Sequence, residues 1–318
     1  MPDDPDLTPD GDPEVCILLG LYQGAPYLRA QLDSYAAQSH ANWSLLVSDD
    51  GSDDAGPEIL DAFAAAHPGH TITRRAGPGR GFARNFLSLL QAVPAHVPYA
   101  ALSDQDDVWY PQRLARAVAL LATVPGDIPA LYCARTMIGD EQLKELGPSP
   151  VFPHDPAFRN ALVQSIGGGN TMVLNRAALD LAGGAAGEAS DPVAHDWWLY
   201  QLITGCGGQV LRDPEPALIY RQHDDNLIGA NLSSAARLSR ILALLNGRFR
   251  DWNETGLAAL AGPAHRFTPE AQQVLAHYRA ARSGPVRARL RALRDSGVWR
   301  QSRSGTVALY LACLLNRL

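Results

Sequence analysis

Buried-strand and amphipathic-helix patterns alternate along the first third of this chain, and that alternation limits its fold more than any other feature. Val15–Leu19 is a continuous apolar run, as in a strand covered on both faces. Tyr27–Ala37 places Leu28, Leu32 and Tyr35 at helical spacing. Trp43–Ser48, Thr71–Arg74 and Tyr99–Ser103 read as further strands, separated by helical stretches at Pro57–Ala66 and Phe82–Ala92, and another helix is expected from Pro111. Strands separated by helices of this length predict an α/β class, with a mostly parallel twisted sheet, flanking helices and right-handed crossovers.

The next hundred residues are less regular. Strands are expected at Ala130–Met137, Thr171–Leu174, Gln209–Leu211 and Ala217–Arg221, with a helix from about Ala194 to Thr204. From Ser233 the chain reads as helical, broken at Gly262-Pro263 and Gly284-Pro285. Residues 1–14 carry six acids among prolines and are expected to be a disordered acidic leader. The expected organisation is therefore that leader, a sheet domain over 15–230 and a helical, Arg-rich C-terminal region over 231–318.

Net charge is −6, which argues against nucleic acid as a partner, but the mean hides an asymmetry. Residues 1–230 hold 13 Lys and Arg against 29 acids, whereas residues 231–318 hold 14 Arg against 4 acids. Such a basic tail either solvates its own helices or meets an anionic surface, such as phospholipid headgroups or a lipid diphosphate. Leu238, Ile241, Leu242 and Leu245, with Arg237, Arg240, Arg248 and Arg250 nearby, fit docking on the sheet domain and also fit peripheral membrane contact. The four cysteines have no CxxC spacing, so neither a disulfide framework nor a zinc site is implied, which suits a reducing compartment. No apolar run approaches the roughly 20 residues of a spanning helix. The expectation is a cytoplasmic protein, soluble or peripheral at the inner face of the membrane.

In a parallel α/β sheet, ligands bind beyond the carboxyl ends of the strands. Asp49-Asp50-Gly51-Ser52-x-Asp54 follows the second strand and Asp104-Gln105-Asp106-Asp107 follows the fourth. Two acidic clusters on one rim repel unless positive charge lies between them, and a divalent cation carrying a diphosphate supplies it. Carboxylates suit Mg²⁺ or Mn²⁺, which keep waters or substrate phosphates as their other ligands. Each cluster alone also reads as an ordinary strand-end turn or a helix cap.

Six segments in order resemble family 2 glycosyltransferases. Leu21-Tyr22-Gln23-Gly24-Ala25-Pro26-Tyr27-Leu28 is similar to their opening motif, and Ser48-Asp49-Asp50-Gly51-Ser52-x-Asp54 to their nucleoside-binding turn. Gly81-Phe82-Ala83-Arg84-Asn85-Phe86 resembles a third segment, and Ser103–Trp109 the metal-binding segment of the rhamnosyltransferase-like branch. His195-Asp196-Trp197-Trp198 and Tyr220-Arg221-Gln222-His223-x-x-Asn226-x-x-Gly229 complete that branch's pattern over about residues 15–230.

The resemblance implies a GT-A fold and inverting transfer of rhamnose or a related hexose from a dTDP- or UDP-sugar donor. The acceptor would be a hydroxyl of a glycan or lipid-linked molecule in cell-surface polysaccharide synthesis. Leu19, Tyr22, Asp49, Asp50, Arg84, Asp104, Gln105 and Arg221 are then expected at the nucleotide-sugar, and Asp106, Asp104 and His223 at the metal. Asp196 is the expected general base; His195 reads as structural or as its partner. Trp109, Gly168, Gly169, Asn170, Trp197 and Trp198 are expected to line the sugar or acceptor pocket, and Asp224–Gly229 to form a loop over the donor. Two other classes fit these residues less well. A nucleotidyltransferase would carry basic residues near its first strand, whereas Leu19–Gly24 has none and Lys144 is the only lysine. A non-catalytic nucleotide-sugar-binding module would not need both the metal acids and Asp196.

Overall fold

The structure is a computed structural model and describes residues 11–223 and 248–318. The expected donor loop Asp224–Gly229 and the apolar row Leu238, Ile241, Leu242 and Leu245 lie outside the described residues, as do Arg237 and Arg240. Four parallel strands open the fold: β1 (Val15–Leu21), β2 (Trp43–Asp49), β3 (Ile72–Ala76) and β4 (Tyr99–Ser103), in spatial order β3-β2-β1-β4. They alternate with α1 (Ala25–Ala36), α2 (Gly56–Ala66) and α3 (Phe82–Ala92), and the short β5 (Val108–Trp109) and α4 (Arg113–Leu121) follow. Every residue of β1 except Gly20 is buried, as its unbroken apolar run predicts. β3 lies at the sheet edge and is largely exposed, with Arg74 and Arg75 discouraging pairing by another chain.

Parallel pairing stops at β4. Next come β8 (Val173–Asn175), antiparallel to both β4 and β6 (Ala130–Gly139), and then β9 (Gln209–Arg221), parallel to β6; β5 closes that edge antiparallel to β9. β7 (Glu145–Pro148) hangs as a hairpin partner on β6. The two strands expected at 209–211 and 217–221 are one strand. Its register against β6 shifts between Ala134 and Met137, where Asp213-Pro214-Glu215-Pro216 interrupts the ladder. Between these strands run α5 (Phe158–Ala161), α6 (Arg176–Ala186) and α7 (His195–Gly205). Asn175 caps α6 by accepting the Ala178 N–H at 3.0 Å.

The alternation of strand side chains builds two cores. Val15, Ile17, Leu19 and Leu21 join Leu28, Leu32 and Tyr35 of α1, with Leu60 and Phe63 of α2 and Leu114 of α4. Cys16 and Leu18 face the other way, onto Phe86 and Leu90 of α3, Leu179 of α6 and Trp198 and Leu202 of α7. That second core runs on without interruption into the C-terminal helices α8 (Arg248–Ala259), α9 (Pro269–Ala280), α10 (Val286–Ser296) and α11 (Arg303–Leu314). Leu260, Phe267, Leu275, Tyr278, Leu293 and Leu309 belong to it. Among the described residues no helix is long and apolar enough to cross a membrane.

Candidate active site

The acidic ends of β2 and β4 are tied to each other across the end of β1. The Asp50 N–H donates to the Leu21 carbonyl at 2.8 Å. Gln105 pairs with the Tyr22 main chain twice, accepting its N–H and donating to its carbonyl, both at 2.8 Å. A side chain at Gly24 would run into Gln105, so this close approach needs glycine there. Tyr22 itself is exposed at the rim.

Asp106 and His223 meet there, with His223 Nε2 3.0 Å from Asp106 Oδ2. The Tyr27 ring lies 4.6 Å from the imidazole and beneath the Arg221 guanidinium, at 4.9 Å. Arg221 Nε donates to the Asp106 carbonyl at 2.9 Å and its Nη1 to the Glu141 carbonyl at 2.6 Å. Asp107 lies wholly beneath the surface, where Asn170 Nδ2 donates to its Oδ2 at 2.6 Å. Burial, then the charges of Asp106 and Asp104, hold the Asp107 carboxyl far above its ordinary range. Asp104 is partly exposed; burial first, then Asp106 and Asp196, raise its pKa from 3.8 to about 8.

One cation lies under this cluster. Arg113 is fully buried, its guanidinium 3.4 Å from the Trp109 ring, and its Nη2 donates to the carbonyls of Leu102 (3.0 Å) and Asn170 (2.7 Å). Its charge lowers the Asp104 pKa but does not overcome burial. Asp104, Asp106, Asp107 and Asp196 outnumber Arg113 beneath them and Arg221 beside them, so the rim stands short of positive charge. A carboxylate whose folded pKa is raised contributes fully below its unfolded value, and that contribution is lost as pH rises toward the folded value. Accordingly Asp104→Asn is expected to raise the unfolding temperature of the metal-free protein by a few degrees at pH 8 and to change it little at pH 4. Calorimetric scans in chelator at the two pH values check this; an equal or lower Tm at pH 8 contradicts it.

Asp196 stands in the first turn of α7, and its charge reaches Asp104. Burial pushes its pKa up to about 6, against main-chain N–H groups of Trp197, Gly169 and Asp196 itself that favour the carboxylate. The Trp197 N–H donates to Oδ1 at 2.7 Å. Gly169 must be glycine, because a Cβ there would collide with His195 Nε2. His195 is buried, stacks on Phe86 at 3.9 Å, and neither ring nitrogen finds a hydrogen-bond partner; burial lowers its pKa to about 3. It is a neutral wall behind the glycines and makes no hydrogen bond to Asp196.

On the β2 side, Asp49 Oδ1 accepts the Ser52 N–H at 2.9 Å. Asp50 clasps the loop before α3, accepting the N–H groups of Gly79 (2.6 Å) and Gly81 (3.0 Å), both at positive φ. Arg84, expected at the donor, turns instead to the segment leading into α7. Its Nε donates to Asp191 at 2.7 Å, and its Nη1 and Nη2 to the carbonyls of Ala186 (3.3 Å) and Ala189 (2.9 Å). Arg84 thus braces the approach to Asp196.

Four expected contacts are corrected. Leu19 is wholly buried between the sheet and α1, so its side chain faces no ligand. Trp109 and Trp198 are 2% and 1% exposed and are core residues, Trp109 packed edge-on against Tyr35 at 4.6 Å. Asn170 is also buried and supports Asp107 rather than lining an open pocket, and Trp197 is partly open while its Nε1 donates to the Ala161 carbonyl at 2.6 Å. Gly168 is exposed. Sequence reasoning missed Arg113, Tyr27 and Asp191. Only Tyr27 had a signal, since it stands within the first motif.

A sheet that is parallel on one flank and mixed on the other, with acids at the ends of β2 and β4, defines the GT-A class of glycosyltransferases. A mannosyltransferase from Pyrobaculum calidifontis, solved with GDP-Man and Mn²⁺, shares the fold over the whole chain and 90% of its own (TM-score 0.51, 20% identity). S. aureus TarS in complex with UDP-GlcNAc aligns with 89% of this chain and 80% of its own (TM-score 0.55, 12% identity). Residues 16–177, just over half of the sequence, match the family described as glycosyl transferase family 2. The chain belongs to that family and is a glycosyltransferase. A dTDP-rhamnosyl transferase of Shigella flexneri, RfbG, is 27% identical over 243 residues, covering 73% of this chain and 81% of RfbG.

Proposed function

We propose that this enzyme transfers rhamnose or a related hexose, with inversion, from a dTDP- or UDP-linked donor to a hydroxyl of a glycan or lipid-linked acceptor in cell-surface polysaccharide synthesis, acting in the cytoplasm. The observation carrying this reading is that Asp196, a half-buried carboxylate with its pKa raised to about 6, lies near enough to Asp104 at the end of β4 for the two charges to interact. The likeness to RfbG supports the sugar, and neighbours holding GDP-Man and UDP-GlcNAc support a nucleotide-sugar donor.

The rim suits a divalent cation. Hard oxygen donors crowd there, with Arg113 beneath and Arg221 beside them offsetting part of their charge, and Asp106 lies beside a histidine. Among the described residues no group of three or more His, Cys, Asp or Glu gathers in ligand geometry. Asp106 and His223, with Asp104 beside them, would hold Mg²⁺ or Mn²⁺, leaving the remaining positions to phosphate oxygens and water. When bound, the ion offsets charge on the departing nucleoside diphosphate.

The remaining roles belong to the chain. Gln105 and Tyr22 shape the donor's edge, Asp49 and Asp50 order the turn at its nucleoside end, and Arg221 sets its guanidinium beside the metal acids. Asp196 takes the proton of the acceptor hydroxyl as that oxygen attacks the anomeric carbon, and the bond from that carbon to the diphosphate breaks on the opposite face. No covalent sugar–enzyme intermediate forms, so no nucleophilic Ser or Cys is needed. Exposed Tyr22 and partly exposed Trp197 offer aromatic faces to base or sugar.

Thermal unfolding in the presence of nucleotide-sugars tests the donor. At ligand concentrations near 100 times Kd the protein gains ~2.7 kcal/mol, and dTDP-rhamnose with Mn²⁺ or Mg²⁺ should give the largest rise in Tm. A GDP-sugar giving the largest shift, or metal having no influence, contradicts the assignment.

A further inference from the structure

Among the described residues, large apolar side chains left in solvent concentrate at the end of the chain. α11 buries Ala308, Leu309, Ala312 and Cys313 against the core. Its opposite side presents Val307, Leu311, Leu314 and Leu315, which are 59%, 49%, 44% and 60% exposed. Their spacing of four, three and one residues puts them in one stripe on a regular helix. Stable monomers seldom leave such a row uncovered without a use for it.

Charge and aromatic placement around the stripe identify what covers it. Arg303 stands at its start, in the first turn of α11, and Arg317 just past its end, both exposed. Beside its first residue opens a groove of about 490 Å³, lined by Trp299, Arg300, Arg303, Val307 and Tyr310 among others. Residues 248–318 carry twelve arginines against four acids. Amphipathic rings next to an apolar stripe, collared by arginine, suit the boundary between lipid headgroups and acyl chains. A second copy of this chain suits it poorly, because a two-fold contact through the stripe would bring both arginine collars together. At 12 residues, α11 is too short to span a bilayer and would lie in its plane.

We propose that the exposed face of α11 seats the protein on an anionic phospholipid bilayer, with the stripe entering the headgroup boundary and the exposed Arg303 and Arg317 meeting lipid phosphates. This surface is separate from the acidic rim and independent of which sugar is transferred.

The test is flotation of the full chain with phosphatidylcholine vesicles, neutral or containing about 30% phosphatidylglycerol. The wild type should float with the anionic vesicles and much less with neutral ones, and added salt should weaken the association. Val307→Ser, Leu311→Ser and Leu315→Ser together should reduce bound protein by about tenfold or more. Arg303→Glu with Arg317→Glu should do the same without touching the apolar stripe. All five positions are solvent-facing, so Tm and nucleotide binding in solution should hold for both variants. That separates failure of this idea from failure of the donor assignment. Flotation of both variants equal to wild type overturns the proposal. So does a serine variant that leaves flotation unchanged but converts a dimer to a monomer in sedimentation, which would assign the face to a second copy.

Discussion

Asp196→Asn is expected to lower kcat by about 10³-fold, inside the ~10²–10⁴ range that a positioned general base contributes. Affinity for dTDP or UDP should change less than about threefold, because a carboxylate serving the acceptor does not touch the donor's base or phosphates. The pH profile supplies a second signature. Burial holds this carboxyl up to about 6, and a base works only when deprotonated, so kcat/KM of the wild type should fall as pH drops below about 6. The residual activity of the asparagine variant should lack that acid limb. Rapid quench with labelled donor at pH 5, 6 and 8 reads both effects. Near-full turnover in the variant would move the proton acceptor elsewhere.

Asp106→Ala carries the second large effect, a fall in kcat/KM of about 10³-fold. The expected cause is loss of a metal ligand that also holds His223 at 3.0 Å. Calorimetric titration with dTDP separates this from mere loosening of the fold. Wild type should bind more tightly with Mn²⁺ than with chelator, whereas the variant should bind equally weakly in both. His223→Ala should lie between the two, since it removes one neutral ligand and leaves the carboxylate. Metal-enhanced binding that persists in Asp106→Ala contradicts the assigned ligand.

What could be read in advance followed from how strongly each segment signals its environment. β4 and α3 begin and end where periodicity predicts, because β4 is bounded by Pro98 and Asp104 and α3 by Gly81 and Pro94. β9 was harder: Pro214 and Pro216 interrupt its pattern, so one strand reads as two. α6 shows little apolar periodicity, since Arg176–Ala186 is rich in alanine and Gly183-Gly184 interrupts it. The structure explains that composition, because a Cβ at Gly183 would lie 3.2 Å from the Leu90 carbonyl of α3. At the site, acids at strand ends were visible because their position in an α/β sheet has a known consequence. Arg113 was invisible, since an arginine after Pro111 reads as a solvated helix residue, and only the packed structure shows it beneath Asp104 and Asp107. Trp109 and Trp198 misled for the converse reason: a tryptophan beside an acid looks like a pocket wall, and sequence spacing does not say which face it takes.

The rim at the end of β4 holds more carboxylates than guanidiniums until a donor and its cation arrive. Arg113 beneath and Arg221 beside the cluster offset part of its charge, and Asp104 and Asp107 have raised pKa values through burial first and neighbouring carboxylates second. Such an arrangement destabilises the empty site and makes donor binding and metal binding mutually dependent. The most direct measurement is a crystal structure with dTDP and Mn²⁺, with anomalous data collected at the manganese edge. The account predicts one strong anomalous peak between the Asp106 carboxylate and the diphosphate, with His223 at the ion and Asp196 facing the sugar position from across the cleft. A diphosphate bound with no peak at this rim, or a manganese ion elsewhere with Asp104 and Asp106 out of its reach, would contradict it.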